Sequence, residues 1–216
     1  SVISFELGMK SQWWDNRMQI NAAIFDSTIE DLQVQRPVDG NLITVNAAEA
    51  DIAGLELELV ALLSKSLTLR FNGSYLDAKF ADFVTANTTF TPGVLENLRG
   101  NPLPNSPETQ ADLSLQYANE FESFDVETRV QVVYTDERWF NEFQEDIAYQ
   151  EATTVVNANA LFRLGDGDWT FNLWGRNLTD ETIISHVNVT SSAIGHARLA
   201  TLMPPRTFGA TVGYSF

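Results

Sequence analysis

The chain has 216 residues, no cysteine and a formal net charge of −16. That balance leaves no basic stripe to neutralise nucleic-acid phosphates, and the missing thiols exclude disulfide scaffolds and thiolate metal sites. Hydrophobic residues make up 44% of the chain, yet no apolar run approaches the roughly 18–20 residues of a spanning helix, so any membrane crossing must use strands.

Period-2 alternation marks the elements from the first residues onward. Phe5, Leu7 and Met9 oppose Glu6, Gly8 and Lys10, and Met18, Ile20, Ala22 and Ile24 oppose Gln19, Asn21 and Ala23. Leu55, Leu57 and Leu59 oppose Glu56 and Glu58. Leu67, Leu69, Phe71, Gly73 and Tyr75 oppose Thr68, Arg70, Asn72 and Ser74. Ala111, Leu113, Leu115 and Tyr117 oppose Asp112, Ser114 and Gln116, followed by Val126, Val130, Val132 and Tyr134 against Asp125, Arg129 and Gln131. Val156, Ala158, Ala160, Phe162 and Leu164 oppose Asn157, Asn159 and Arg163, and Trp169, Phe171 and Leu173 oppose Thr170 and Asn172. The last strand is the cleanest: Phe208, Ala210, Val212, Tyr214 and Phe216 alternate with Thr207, Gly209, Thr211, Gly213 and Ser215.

These nine predicted strands carry no charged residue at the apolar positions named. An Arg or Lys facing lipid at mid-depth costs about 2–4 kcal/mol, so that absence suits a transmembrane β-barrel, with lipid outside and water inside. A soluble β-sandwich also alternates, but its strands are usually shorter and its solvent face richer in Lys and Thr. Connections alternate too. Tight turns at 11–16, 64–66, 119–123 and 165–168 alternate with 37–41, 84–106, 141–152 and 179–204, which are mostly much longer, as in barrels with short periplasmic turns and long outer loops. The strands flanking 37–41 are expected to project beyond the membrane.

Several motifs resemble the C-terminal part of the TonB-dependent outer-membrane receptors. Asp15-Asn16-Arg17 leads to Ala22-Ala23-Ile24-Phe25 and Asp31-Leu32-Gln33. Asn46-Ala47-Ala48-Glu49-Ala50 precedes Gly54-Leu55-Glu56-Leu57-Glu58. Trp174-Gly175-Arg176-Asn177-Leu178-Thr179-Asp180-Glu181 precedes Pro205-Arg206-Thr207-Phe208-Gly209 and a terminal Phe. The resemblance implies an all-β, antiparallel segment of about nine strands from a 22-stranded barrel with a plugged lumen. Residues 1–216 would then be the C-terminal portion of that barrel, with the plug elsewhere. Nine is odd, and Ser1 opens on a strand without a signal segment, so the chain is expected to be a piece of a longer receptor. The function implied is TonB-energised uptake of a scarce ligand, a ferric siderophore foremost, or a vitamin or oligosaccharide. Partners implied are outer-membrane lipid, the TonB complex and the barrel insertion machinery. A passive porin-like channel and a secreted carbohydrate-binding β-sandwich are the alternatives.

Nothing points to catalysis or to a cofactor. His186 and His196 lie in one long loop without metal-ligand spacing, and Asp166-Gly167-Asp168 lacks the downstream acids of a calcium loop and reads as a turn. The segment 136–151 interleaves Asp136, Glu137, Glu142, Glu145, Asp146 and Glu151 with Trp139, Phe140, Phe143 and Tyr149. It reads either as an outer loop recruiting ligand through Trp139, Phe140, Phe143 and Tyr149, or as girdle and packing aromatics under a solvated acidic rim; His186 and His196, in their own loop, are read as solvated or as ligand contacts. Inward strand positions carry Glu6, Glu56, Glu58, Asp112, Asp125 and Glu127 against Lys10, Arg70, Arg129, Arg163 and Arg176, so the charge resides mainly outside the lumen. Tyr214 and Phe216 are expected to form a C-terminal assembly signal.

Overall fold

A computed structural model describes the backbone of all residues except 39–40, 88, 165–167 and 191–194, and the side chains of these and of 34–47 are likewise outside the described set. The tip of the 37–41 connection and the Asp166-Gly167 turn therefore lie outside the described residues.

Nine strands follow one another in a single antiparallel sheet: β1 (Val2–Trp13), β2 (Met18–Val38), β3 (Asn41–Leu62), β4 (Leu67–Ala86), β6 (Thr109–Glu120), β7 (Phe124–Thr135), β10 (Thr153–Leu164), β11 (Trp169–Arg176) and β14 (Thr207–Tyr214). Each of the nine expected segments is a strand of this sheet. Among the described residues β1 pairs only with β2 and β14 only with β11, so these are its two edges. The connections hold further short strands: β5 (Leu95–Asn97) on β4, β8 (Arg138–Trp139) with β9 (Tyr149–Gln150), and β12 (Ile184–Val189) with β13 (Arg198–Leu202).

Register places every apolar set on one face. The row Ile20, Leu59, Phe71, Leu113, Val132, Val156 crosses six strands side by side, and the row Met18, Ala61, Leu69, Leu115, Val130, Ala158, Gly175, Phe208 crosses eight. The opposite face is polar, with Gln131 between Asp112 and Asn157, and Glu127 accepting from Gln116 at 3.0 Å. On β6 and β11 burial is inverted relative to a soluble fold, whereas on β3 and β4 Glu56, Glu58, Arg70 and Asn72 are exposed and Leu57, Leu59, Leu69 and Phe71 half-buried. On β6, Ser114 is 2% exposed while its neighbours Leu113 and Leu115 are 44% and 42% exposed. On β11 Trp169, Phe171 and Leu173 are exposed, while Thr170 and Asn172 are half-buried. A continuous apolar face of this size, left bare, calls for a lipid or protein partner.

The apolar face ends where the tight turns and the long connections begin. At the tight-turn end it is bounded by aromatics, Trp13, Phe124, Trp169 and Tyr214, the last two 4.7 Å apart. At the other end, Tyr75 and Tyr134 close it, and the same face of β3 and β4 then carries Asp51, Asp77 and Lys79. The inner face inverts at the same level, since Ala50, Ala78, Phe80 and, past a bulge, Phe83 are all buried. Between these limits β4 runs Leu67 to Tyr75, nine residues and about the length a tilted membrane strand needs. β2 and β3 pair far beyond that level, up to Val38 opposite Asn41, as the expected projection requires.

The motifs have local physical causes. Trp14, Asp15 and Asn16 all take left-handed φ (55°, 55° and 64°) in the β1–β2 turn, a conformation Asp and Asn tolerate best among non-glycine residues. Arg17 then donates to the Leu62 and Leu63 carbonyls at 2.9 and 3.0 Å, tying this turn to the next. Gly54 is required by close approach: a Cβ there would stand 2.7 Å from the Tyr75 carbonyl oxygen and 2.5 Å from the Phe25 ring lying across it. At the other edge, Asn177 folds back on Glu181 by two hydrogen bonds of 2.8 and 2.9 Å, and Asp180 binds the Arg206 guanidinium at 3.0 Å. The Asn-Leu-Thr-Asp run and the Pro-Arg pair, separated in sequence, thus form one clasp at the start of β14.

Candidate functional site

The long connections do not stand apart as separate loops. Asn105 N–H donates to the Trp139 carbonyl at 2.7 Å, and Asn101 Nδ2 donates to the Glu142 carbonyl at 3.0 Å, joining 84–106 to 136–151. Glu145 is more than part of a solvated acidic rim. It is half-buried, and its two carboxylate oxygens accept from Asn87 and Asn141 at 2.5 and 2.8 Å. The 179–204 connection is sewn on by Arg138, which donates to the Ile184 carbonyl, by Gln150, which accepts from Ile184 N–H at 2.9 Å, and by Arg198, which donates to the Tyr149 carbonyl at 2.9 Å. Two small hydrophobic cores lie beneath these links. Ala48, Phe80, Phe83 and Leu98 form one, and Ala148, Ile184 and Val187 the other.

The six candidate ligand contacts fall in this layer but in different surroundings. Trp139 and Tyr149 face each other across the β8–β9 ladder with ring centroids 5.1 Å apart. Phe140 packs on the second core and lies under the Arg138 guanidinium at 5.4 Å, whereas Phe143 packs on the first. His186 is exposed on β12, and His196 stacks on Phe90 at 4.6 Å. The structure therefore brings Trp139 and Tyr149 together, with Phe140 next to Trp139 in sequence, and leaves both histidines elsewhere in the layer.

A cavity of about 270 Å³ opens beside Trp139, lined also by Pro102, Leu103, Glu108, Asp136 and Glu137. Sequence reasoning found Trp139 but not Glu108 or Pro102, which arrive from the preceding connection. Tyr149 is not itself in the lining but holds Glu137, which is. Its hydroxyl donates to Glu137 at 2.5 Å, and this bond, with burial adding, pushes its pKa up to about 12. The contribution of that bond is complete below the free tyrosine value of ~10 and is lost only as pH rises through about 12. It is therefore constant at physiological pH. Burial alone draws the Arg138 guanidinium below its ordinary value. A larger hollow of about 410 Å³ lies on the polar sheet face, lined by Glu56, Glu58, Asn72, Ser74, Gln110 and Asp112.

At the far end of the molecule Phe216 is fully exposed, and its ring follows Tyr214 at 6.4 Å on the apolar side of the last strand. We propose that Tyr214 and Phe216, on the apolar side of the last strand, are read by the barrel insertion machinery. Deleting Phe216 is expected to lower the amount of heat-modifiable receptor in cells while leaving refolding in detergent intact, because one aromatic contributes only about 1–3 kcal/mol of burial. A parallel fall in both would make it a stability element instead.

Comparison with known proteins agrees with the geometry. The family described as TonB dependent receptor-like, beta-barrel matches residues 1–178. The ferric yersiniabactin uptake receptor FyuA from Yersinia pestis superposes with a TM-score of 0.78 at 19% identity, over 98% of this chain and 29% of the receptor. The siderophore receptor PiuA from Acinetobacter baumannii gives 0.73 at 20% identity, over 98% and 27%. The FrpB iron transporter from Neisseria meningitidis gives 0.66 at 17%, over 100% and 31%. The chain thus spans under a third of each of these proteins. Residues 179–216 fall outside the sequence match, yet they carry the Asp180–Arg206 clasp and the last sheet strand, and the superpositions cover nearly the whole chain. The sequence match, the antiparallel sheet and the superpositions agree: the chain belongs to the TonB-dependent receptor β-barrel family.

Proposed function

We propose that residues 1–216 are the C-terminal wall of an outer-membrane uptake receptor, working with a plug and a TonB-engaging segment carried elsewhere in the same protein. The observation that carries this reading is the two-faced sheet, with apolar residues in register on one side and polar residues on the other, in a chain of this family. The apolar face takes lipid in the bacterial outer membrane. The long connections then lie outside the cell, where Trp139, Phe140 and Tyr149 meet arriving ligand and Glu56, Glu58 and Asp112 line the path inward. The ligand class is suggested by the superposed proteins, which are named as a ferric yersiniabactin uptake receptor, a siderophore receptor and an iron transporter. A ferric siderophore is accordingly the ligand proposed.

The test is uptake of radioiron from a panel of ferric siderophores by iron-starved cells, with and without the receptor gene. Receptor-dependent uptake abolished by a proton uncoupler is expected. Uptake that survives the uncoupler would identify a passive channel instead, and no receptor-dependent uptake of any ferric complex would remove the siderophore assignment. Orientation is read on the same cells. Cysteine at Val94 should react with an impermeant maleimide, and cysteine at Asp168 only after the outer membrane is opened; the reverse order would invert the topology.

A further inference from the structure

The arginines around the outer end of β11 are mostly spent within the chain. Arg206 binds Asp180 at 3.0 Å, and Arg138 and Arg198 donate to the Ile184 and Tyr149 carbonyls. Arg176 is different. It is exposed, and among the described residues its guanidinium makes no ion pair or hydrogen bond and lies over the Trp174 ring, 5.5 Å from the centroid. Asp180 and Glu181, the nearest acids along the chain, are turned to Arg206 and to the Thr154 N–H.

The sheet fixes both members of this pair. Trp174 and Arg176 are two residues apart on one strand, so both face the polar side, away from Leu173 and Gly175. Register sets Trp174 between Asn159 and Gly209, and Arg176 opposite Thr207. Gly209 makes room for the indole, since a Cβ there would stand 2.5 Å from the Trp174 ring. The ring in turn orients the guanidinium and leaves the N–H donors at its edge uncommitted. Arg176 ends β11 at the side away from Trp169 and Tyr214, and its neighbour Gly175 pairs with Phe208 near the start of β14. It therefore stands at the outer mouth of the polar face, where the 179–204 connection begins.

Resting on the reading of this chain as the wall of an uptake receptor, we infer that Arg176 on its Trp174 platform is a ligand contact at the mouth. It takes an anionic oxygen group on the outside of the ferric complex, a carboxylate or a metal-bound phenolate. A guanidinium offers such a group two N–H donors in one plane, and a stacked guanidinium has less freedom left to lose on binding. The 136–151 connection nearby in the layer is acidic, so its field does not draw anions in. Arg176 is the local exception, and it fixes how an arriving anionic complex is seated.

The test measures KM for radioiron uptake by iron-starved cells carrying the full receptor. The probes are an anionic ferric tris-catecholate, anionic ferric citrate and a neutral ferric trihydroxamate. Arg176→Gln is expected to raise KM roughly tenfold for whichever anionic complex the receptor carries, as loss of a charge-assisted pair implies. The maximal rate and the neutral complex should be unaffected, and Arg176→Lys, which keeps the charge but not the fork, should fall between. Arg163→Gln is the control: Arg163 pairs with Glu127 at 3.7 Å near the tight-turn end of β10, and its loss should leave every KM unchanged. Uptake of the neutral complex alone, or an unchanged KM in Arg176→Gln, would overturn the inference and leave the uptake reading standing. An equal loss on anionic and neutral complexes, or loss of heat-modifiable receptor, would overturn it too, because Arg176 would then be holding the protein together. No receptor-dependent uptake of any of these complexes would refute the ferric uptake reading and this inference with it.

Discussion

Arginine in place of Val130 or Leu173 is expected to block assembly of the receptor, while arginine at the adjacent Gln131 or Asn172 is tolerated. Val130 and Leu173 are 49% and 53% exposed on the apolar face, near the middle of their strands. A guanidinium there costs about 2–4 kcal/mol in lipid. One residue along, the side chain reverses face and meets groups suited to it, such as Asp112 beside Gln131 and Asn159 beside Asn172. The quantity to measure is the heat-modifiable fraction in isolated outer membranes. Equal losses on both faces would mean that each is buried against protein and would argue for a two-sided soluble core.

Phe83→Ala is expected to loosen the outer layer without touching the barrel. Phe83 is buried against Phe80, with ring centroids 4.9 Å apart, in a core shared with Ala48 and Leu98. Emptying such a site costs about 3–5 kcal/mol. Because that core sits beyond Tyr75, at the level where the face polarity has already inverted, the loss falls on the 84–106 connection and on Phe143 packed against it. Limited proteolysis of whole cells should then cut within 84–106, with heat-modifiability unchanged. Phe90→Ala, at a half-exposed position, serves as the comparison and should leave the digestion pattern as it was. Loss of the barrel in Phe83→Ala would show that the two layers fold as one unit.

Sequence alternation located all nine sheet strands because lipid and lumen impose opposite polarities on alternate residues, and that requirement holds wherever the strand is in the membrane. It failed where the requirement ends. Above Tyr75 the apolar residues of β4 move from Phe71 and Tyr75 to Leu76, Ala78 and Phe80, a one-step change of phase that reads as the end of a strand although the ladder continues. That change of phase is itself a usable sign of the membrane boundary. The β12–β13 hairpin escaped notice for a different reason: its strands are six and five residues long, with a bulge between Ile184 and His186 that breaks the alternation.

Candidate contacts in the outer layer were only half legible. A dense run of aromatics and acids announces a surface with some task, so Trp139 and Tyr149 could be picked out. What each does depends on partners that sequence spacing does not reveal. Glu145 looks like any rim carboxylate until Asn87, 58 residues away, is seen to donate to it. Phe143 looks like Phe140 until the two are found in separate cores. Polar clasps across loops have no period, and their partners are fixed only once the barrel has brought the loop ends together.

The most direct test of the wall assignment is a nitroxide scan along β6, from Gln110 to Tyr117, in the full receptor reconstituted into bilayers. Collision with oxygen, which concentrates in lipid, should peak at Ala111, Leu113, Leu115 and Tyr117 and drop at Gln110, Asp112 and Gln116. A profile of opposite phase, or one without a two-residue period, would contradict the assignment of this face to the membrane.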